Sequence, residues 1–132
     1  MSYNLNDYLG KEIQCSCGRV HKTPLEKIDI GRGALKRLPS VIRELGYHKV
    51  FMVADKNTYK AAGAAVEELL LAEQIDLQMI VLNEEEPVPD EACLGRILAA
   101  CPQDADVILA VGTGTINDMC KFISSRMKMD YI

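Results

Sequence analysis

The chain has no run of basic residues, no apolar stretch long enough to cross a bilayer and no even set of cysteines. Its lysines and arginines are scattered, and the formal charge is −4 with a pI near 5.2. A polyanion therefore finds no electrostatic footprint, which disfavours nucleic acid as a partner. A bilayer span needs about 18 consecutive apolar residues, and no segment approaches that. The opening MSYNLNDYLGKEI also lacks the basic-then-apolar order of a signal peptide. The expectation is a cytoplasmic protein without a membrane partner. Five cysteines, an odd number at irregular spacing, argue against a disulfide framework and for a reducing compartment. Of these, Cys93, Cys101 and Cys120 read as small buried hydrophobes. Internal repeats and low-complexity linkers are absent as well.

What is present is an ordinary globular composition, 48% hydrophobic and 26% charged over 132 residues, enough for one compact domain. Composition shifts near residue 22, which divides an N-terminal extension, 1–22, from a domain at 23–132. EKIDI alternates as an edge strand or part of a hairpin would. ALKRLPSVIRELG has helical spacing, a break at Pro39 and a glycine stop. KVFMVAD is a continuous β-forming run, as a parallel strand buried on both faces requires. NTYKAAGAAVEELLLAEQ predicts a helix whose buried stripe is Ala61, Ala62, Ala65, Val66, Leu69 and Leu70, with Gly63 permitting a close approach. DLQMIVL is a further strand, NEEEPVP a loop, and DEACLGRILAAC a helix begun by Asp90. ADVILAVG and TINDMCKFISSRMKM then form a strand and a helix, and the final DYI starts another strand. Strands alternating with helices demand a parallel sheet. The fold class is α/β, a Rossmann-like parallel sheet with flanking helices, of nucleotide-binding type.

Residues 108–119, ILAVGTGTINDM, run a strand into a glycine loop and a helix. Such a loop offers bare N–H groups and a positive dipole end to an anion. Gly112 and Gly114 would let a pyrophosphate approach the backbone, and the Thr113 and Thr115 hydroxyls could donate to its oxygens. The alternative is structural: Thr115-Ile-Asn-Asp118 fits a loosened capping box, in which Thr115 merely caps the helix. Spacing leaves both open. The loop is neither the dinucleotide fingerprint G-x-G-x-x-G, since Asn117 holds the third glycine's place, nor a Walker loop, since no Gly-Lys-Ser/Thr occurs. Asp55 closes KVFMVAD, where a carboxylate can accept ribose hydroxyls and repel a 2′-phosphate, or can cap the following helix.

CSCGRVH, GRGALKRLP, VADKNTYKAAG, NEEEPVPDE and VGTGTINDMCKF, in that order, resemble the dehydroquinate synthase-like superfamily that includes iron-type alcohol dehydrogenases and glycerol dehydrogenase. Its bacterial glycerol-phosphate branch is the most similar. The resemblance covers almost all of the chain after residue 14. It implies that this is the NAD- or NADP-binding half of a metal-requiring dehydrogenase, and that a helical C-terminal domain past residue 132 carries a divalent metal, Zn, Ni or Fe. The implied reaction is hydride transfer between NAD(P)H and dihydroxyacetone phosphate, giving sn-glycerol 1-phosphate, so the partners are a nicotinamide cofactor and a small phosphorylated polyol. A homo-oligomer is expected at full length. By position Gly112, Thr113, Gly114 and Thr115 resemble the pyrophosphate loop, Asp55 the residue at the adenosine ribose, and Asp118 the aspartate facing the nicotinamide and substrate. No catalytic residue and no ligand of that metal is expected within this chain, which alone should be inactive. A glycerol or other alcohol dehydrogenase of the same superfamily, or a stand-alone nucleotide-binding module, are the other readings.

Three soft or borderline ligands, Cys15, Cys17 and His21, fall within seven residues. Cys-x-Cys is tighter than the usual zinc knuckle, so a turn set by Gly18 with packed thiols is the favoured expectation. His48 reads as a surface residue. Glu84 to Glu86 read as a solvated loop, the functional alternative being a ribose contact at a strand end. Arg126 and Lys128 complement the dipole of the last helix.

Overall fold

The computed structural model describes residues 5–84 and 86–132. They form two compact units, Met1–Ala34 and Leu35–Ile132, a division further along the chain than the composition shift near residue 22.

In the first unit a short 3₁₀ turn, Leu5–Tyr8, precedes an antiparallel hairpin of β1, Glu12–Gln14, and β2, Val20–Lys22. Its register pairs Glu12 with Lys22, Ile13 with His21 and Gln14 with Val20. Gly18, at φ +79°, turns the connection, and its N–H donates to the Cys15 carbonyl at 3.0 Å. The expected strand at EKIDI does not form; residues 23–30 carry no regular structure. Alternation makes a strand only where one face can be covered, and Ile30 is 75% exposed. The hairpin therefore lies one segment earlier than its periodicity suggested.

A 3₁₀ turn, Ala34–Arg37, leads into α1, Leu38–Glu44, with Pro39 in the first turn, where a missing N–H costs nothing. Its end is a Schellman motif: Gly46, at φ +81°, donates to the Arg43 carbonyl and Tyr47 to that of Ile42, each at 3.0 Å. The break at Pro39 and the glycine stop match the sequence reading. Four parallel strands come next, β3 (Lys49–Asp55), β4 (Asp76–Leu82), β5 (Val107–Ala110) and β6 (Asp130–Tyr131), in the order β4-β3-β5-β6. β3 is an interior strand and is buried from Val50 onward, hence its unbroken apolar run.

The two-residue period of β3 sends its side chains into two separate cores. Phe51 and Val53 join Cys93 and Ile97 of α4 (Glu91–Ala100) and Ile116, Met119, Cys120 and Ile123 of α5 (Gly114–Met127). Val50 and Met52 join Ile42 of α1 and Val66 and Leu70 of α3 (Ala64–Ala72). The result is a sheet covered on both faces. Among the described residues no helix is long and apolar enough to cross a membrane.

The helix after β3 differs from its expected form. It starts as α2, Lys56–Thr58, passes through a π turn, Tyr59–Gly63, and continues as α3. The π turn inserts a residue and rotates α3 relative to α2. Of the expected stripe Val66 and Leu70 are buried and Ala62 and Leu69 half-buried, while Ala61 and Ala65 are exposed; Gly63 is buried as well. The close approach at Gly63 is intramolecular, since a Cβ there would lie 2.8 Å from Cδ2 of Tyr59.

Candidate functional site at the carboxyl edge of the sheet

From β3 the chain runs out to β4 on one side and then returns to β5 on the other. The gap between β3 and β5 is thus a topological switch point, the place where open α/β sheets leave a crevice beyond their carboxyl ends. β3 ends there in Asp55, and β5 ends there in the glycine loop. The two strands stay paired to the end of β5: Val53 lies opposite Ala110, the Val111 N–H donates to the Val53 carbonyl at 2.9 Å, and Asp55 follows two residues beyond that pair.

Asp55 is 3% exposed and caps α2. Its Oδ1 accepts from the N–H groups of Asn57 and Thr58, both at 2.8 Å, and its own N–H donates to Thr58 Oγ1 at 2.9 Å, a complete capping box. The structural role considered for this residue is therefore real. Both bonds fall on Oδ1, so capping leaves Oδ2 to other donors.

The glycine loop overturns one expectation. Thr115 does not cap α5; the N-cap is Thr113, with extended backbone at φ −79° and ψ −176°, and Gly114 is the first helical residue. The reason is packing. Ile116, Met119, Cys120 and Ile123 form one buried helical stripe, so the helix must already be wound where Ile116 enters the core. A Cβ on Gly112 would lie 2.5 Å from Cβ and Cγ1 of Ile116, so this glycine is required by the helix that packs onto it. Gly114 differs: nothing stands within 4 Å of a Cβ built there. Thr113 makes no side-chain capping bond, so the leading N–H groups of a 14-residue helix are left uncapped by it beside that open space. Gly112, Thr113 and Gly114 are exposed and Thr115 half-buried. Asp118, one turn beyond Gly114, is exposed on the same side of the helix.

Just past β4, the Glu84 carboxylate meets Arg96 of α4, Oε1 to Nη1 at 2.7 Å. Arg96, then the local backbone, holds the Glu84 carboxyl below its usual range. Its other oxygen, Oε2, is buried and has no hydrogen-bond partner. Glu84 is accordingly anchored and not a freely solvated loop residue; Glu86 is exposed, and Glu85 lies outside the described residues. Nothing local in the sequence announces Arg96, because the pair closes across a loop between a strand and a helix.

The remaining expectations divide. His48 is exposed. Arg126 sits over the Phe122 ring, 5.2 Å from its centroid, a cation–π contact in the last turn of α5. Cys93 and Cys120 are buried as expected, and burial pushes the Cys120 thiol up to about 12; Cys101 is half-buried. Among the described residues the one group of His, Cys, Asp and Glu close enough to hold a metal is Cys15, Cys17 and His21, in the first unit. The favoured turn with packed thiols is thus corrected in part: the turn forms, but Cys17 and His21 are exposed and face each other.

Residues 29–132 match the family described as iron-containing alcohol dehydrogenase. A glycerol-1-phosphate dehydrogenase [NAD(P)+] of Halalkalibacterium halodurans is 35% identical over 123 residues, 90% of this chain and 31% of that protein. One from Geobacillus stearothermophilus is 32% identical over 136 residues, covering 100% of this chain and 34% of that protein. The chain thus spans about a third of the length of the curated relatives it matches. Crystal structures of glycerol dehydrogenase from Schizosaccharomyces pombe and NADH-dependent butanol dehydrogenase A from Thermotoga maritima share the fold. Their TM-scores are 0.63 and 0.59, each at 22% identity, over 76% and 71% of this chain and 25% and 24% of theirs.

Proposed function

The chain belongs to the iron-containing alcohol dehydrogenase family, and on that footing we propose that it is the cofactor-binding half of an NAD(P)-dependent sn-glycerol-1-phosphate dehydrogenase. The observation that carries this reading is the joint position of Asp55 and the Gly112–Thr115 loop on two paired strands flanking the switch point. Support for the glycerol-phosphate branch comes from the Halalkalibacterium and Geobacillus relatives, which match nearly the whole chain.

In this reading the uncapped N–H groups at the start of α5 receive the pyrophosphate, aided by the Thr113 and Thr115 hydroxyls. Gly114 keeps the approach free of a side chain. Oδ2 of Asp55 accepts the adenosine ribose hydroxyls while Oδ1 keeps the cap, and its charge disfavours a 2′-phosphate. Oε2 of Glu84 is a further acceptor at the same sheet edge. Asp118 stands toward the nicotinamide and substrate. The open Gly114 space and free helix end suit a dinucleotide, which when bound supplies the hydride acceptor or donor. A divalent metal (Zn, Ni or Fe) would polarise the C2 ketone of dihydroxyacetone phosphate; among the described residues the crevice offers it no ligand set, and its ligands are assigned to a following helical domain.

Titration with NADH and NADPH, followed by cofactor emission, tests the cofactor assignment. Asp55→Asn keeps a good N-cap while removing the charge. The parent should bind NADH more tightly than NADPH, and Asp55→Asn should narrow that preference about tenfold, roughly 1.4 kcal/mol. Equal binding of both cofactors by the parent, or no change in the variant, would remove Asp55 from the site. NADH consumption by the whole protein with dihydroxyacetone phosphate, set against unphosphorylated dihydroxyacetone, decides the substrate.

A further inference from the structure

The hairpin of the first unit brings together three metal-binding side chains that the dehydrogenase reading does not use. Cys15, Cys17 and His21 present ligand atoms that all lie within 4.8 Å of one another. Cys17 Sγ is 3.2 Å from His21 Nε2, and the Cys17 N–H donates to Cys15 Sγ at 3.5 Å. A tetrahedral zinc with Zn–S near 2.3 Å and Zn–N near 2.0 Å needs S···N and S···S separations of about 3.6 and 3.8 Å. The group therefore sits within about an ångström of a coordinating arrangement.

Local structure explains the convergence. Pairing of Ile13 with His21 sets the histidine on β2 near the mouth of the connecting loop. Cys15 leaves β1 with its N–H donating to the Arg19 carbonyl at 3.1 Å, and Gly18, in the left-handed region, folds the loop back so that Cys17 faces His21. Cys15 is half-buried, and Cys17 and His21 are exposed, so a fourth position would open to solvent.

The hairpin also has reason to be stapled. Of its six strand residues only Ile13 is even half-buried, and an isolated two-stranded hairpin is marginal in water. A metal tying loop to strand would contribute its binding energy to folding of this segment. We propose that Cys15, Cys17 and His21 form a zinc site with three protein ligands and one exchangeable position, which fixes the N-terminal hairpin.

The test is metal titration of the reduced, metal-stripped full protein, with Zn²⁺ competed against a chromophoric chelator and Co²⁺ followed by absorbance. The parent should take up one equivalent more than a Cys17→Ser/His21→Ala double variant, so any other metal the protein holds cancels in the difference. Each single variant should weaken this uptake by about 100-fold or more, since even the loss of an outer partner costs 10–100-fold. Co²⁺ bound to the parent should show a thiolate charge-transfer band, a readout that needs no variant to fold. Equal uptake by parent and double variant, or Co²⁺ spectra without thiolate character, would overturn the proposal.

Discussion

Two alanine substitutions in one short loop should have opposite consequences. Gly112→Ala places a Cβ 2.5 Å from Cβ and Cγ1 of Ile116, a residue with 0% exposure. The atoms met belong to the root of a packed side chain, so relief requires moving the start of α5 or the end of β5. Overpacking of this kind costs about 1–3 kcal/mol. For a unit the size of Leu35–Ile132 that lowers Tm by roughly 4–24 °C. Gly114→Ala meets nothing within 4 Å and lies in the first turn of a helix. Alanine is favoured over glycine there by up to about 1 kcal/mol, so stability should hold or rise slightly. The same Cβ, however, stands where the pyrophosphate is proposed to approach, and NADH affinity should fall by about tenfold or more, roughly 1.4 kcal/mol. Urea denaturation followed by circular dichroism and NADH titration by cofactor emission measure the two effects; the chain has no tryptophan to complicate the emission. Gly112→Ala within about 0.5 kcal/mol of the parent would refute the packing account of this glycine. Undiminished NADH binding by Gly114→Ala would refute the cradle.

Lys128 ends α5 at φ +55° and is exposed, so Lys128→Gly should raise the urea midpoint by the equivalent of about 0.5–1 kcal/mol; a lower midpoint would mean that the lysine makes contacts worth more than its strain. In the metal-stripped protein the exposed Cys17 thiol should react at once with an aromatic disulfide reagent, whereas Cys120, buried and raised to about 12, should react only on unfolding; rapid Cys120 labelling in the folded protein would contradict its burial. Arg96 depresses the Glu84 carboxyl, so this pair's stabilisation is present above the ordinary carboxyl pKa of about 4.3 and is lost as pH falls through the lower folded value. Arg96→Gln should move the Glu84 carboxyl carbon titration upward in an NMR series, with a small change in stability because both side chains are close to half-exposed, 47% and 40%. An unmoved titration would show that the guanidinium is not the cause.

Several elements were fixed by chain-local physics and could be read directly. KVFMVAD and DLQMIVL coincide with β3 and β4 because continuous β-forming runs bounded by polar residues have no competing structure. Asp90 caps α4 through a bond from the Cys93 N–H at 2.8 Å, and Pro39 and Gly46 bound α1. Asp55 was legible at a strand end and the glycine loop at a helix start. EKIDI shows the limit: its alternation is that of a strand, but no covering face exists for Ile30. Val66 and Leu70 of the expected stripe could be read from the apolar period, but the exposure of Ala61 and Ala65 could not, because the π turn Tyr59–Gly63 leaves no mark in that period.

By itself, then, the order of residues determined the α/β class, most strand and helix limits, and the chemical types brought to each loop, since these depend on neighbours within a turn or two. Only tertiary structure decided that Asp55 and Gly112–Thr115 follow neighbouring strands at one edge of the sheet, because that arises from the strand order β4-β3-β5-β6. It also decided that Thr113, not Thr115, begins α5, because burial of Ile116 outweighs a local capping pattern. The facing of Cys17 and His21 arises likewise from hairpin register, a long-range choice that no spacing rule encodes.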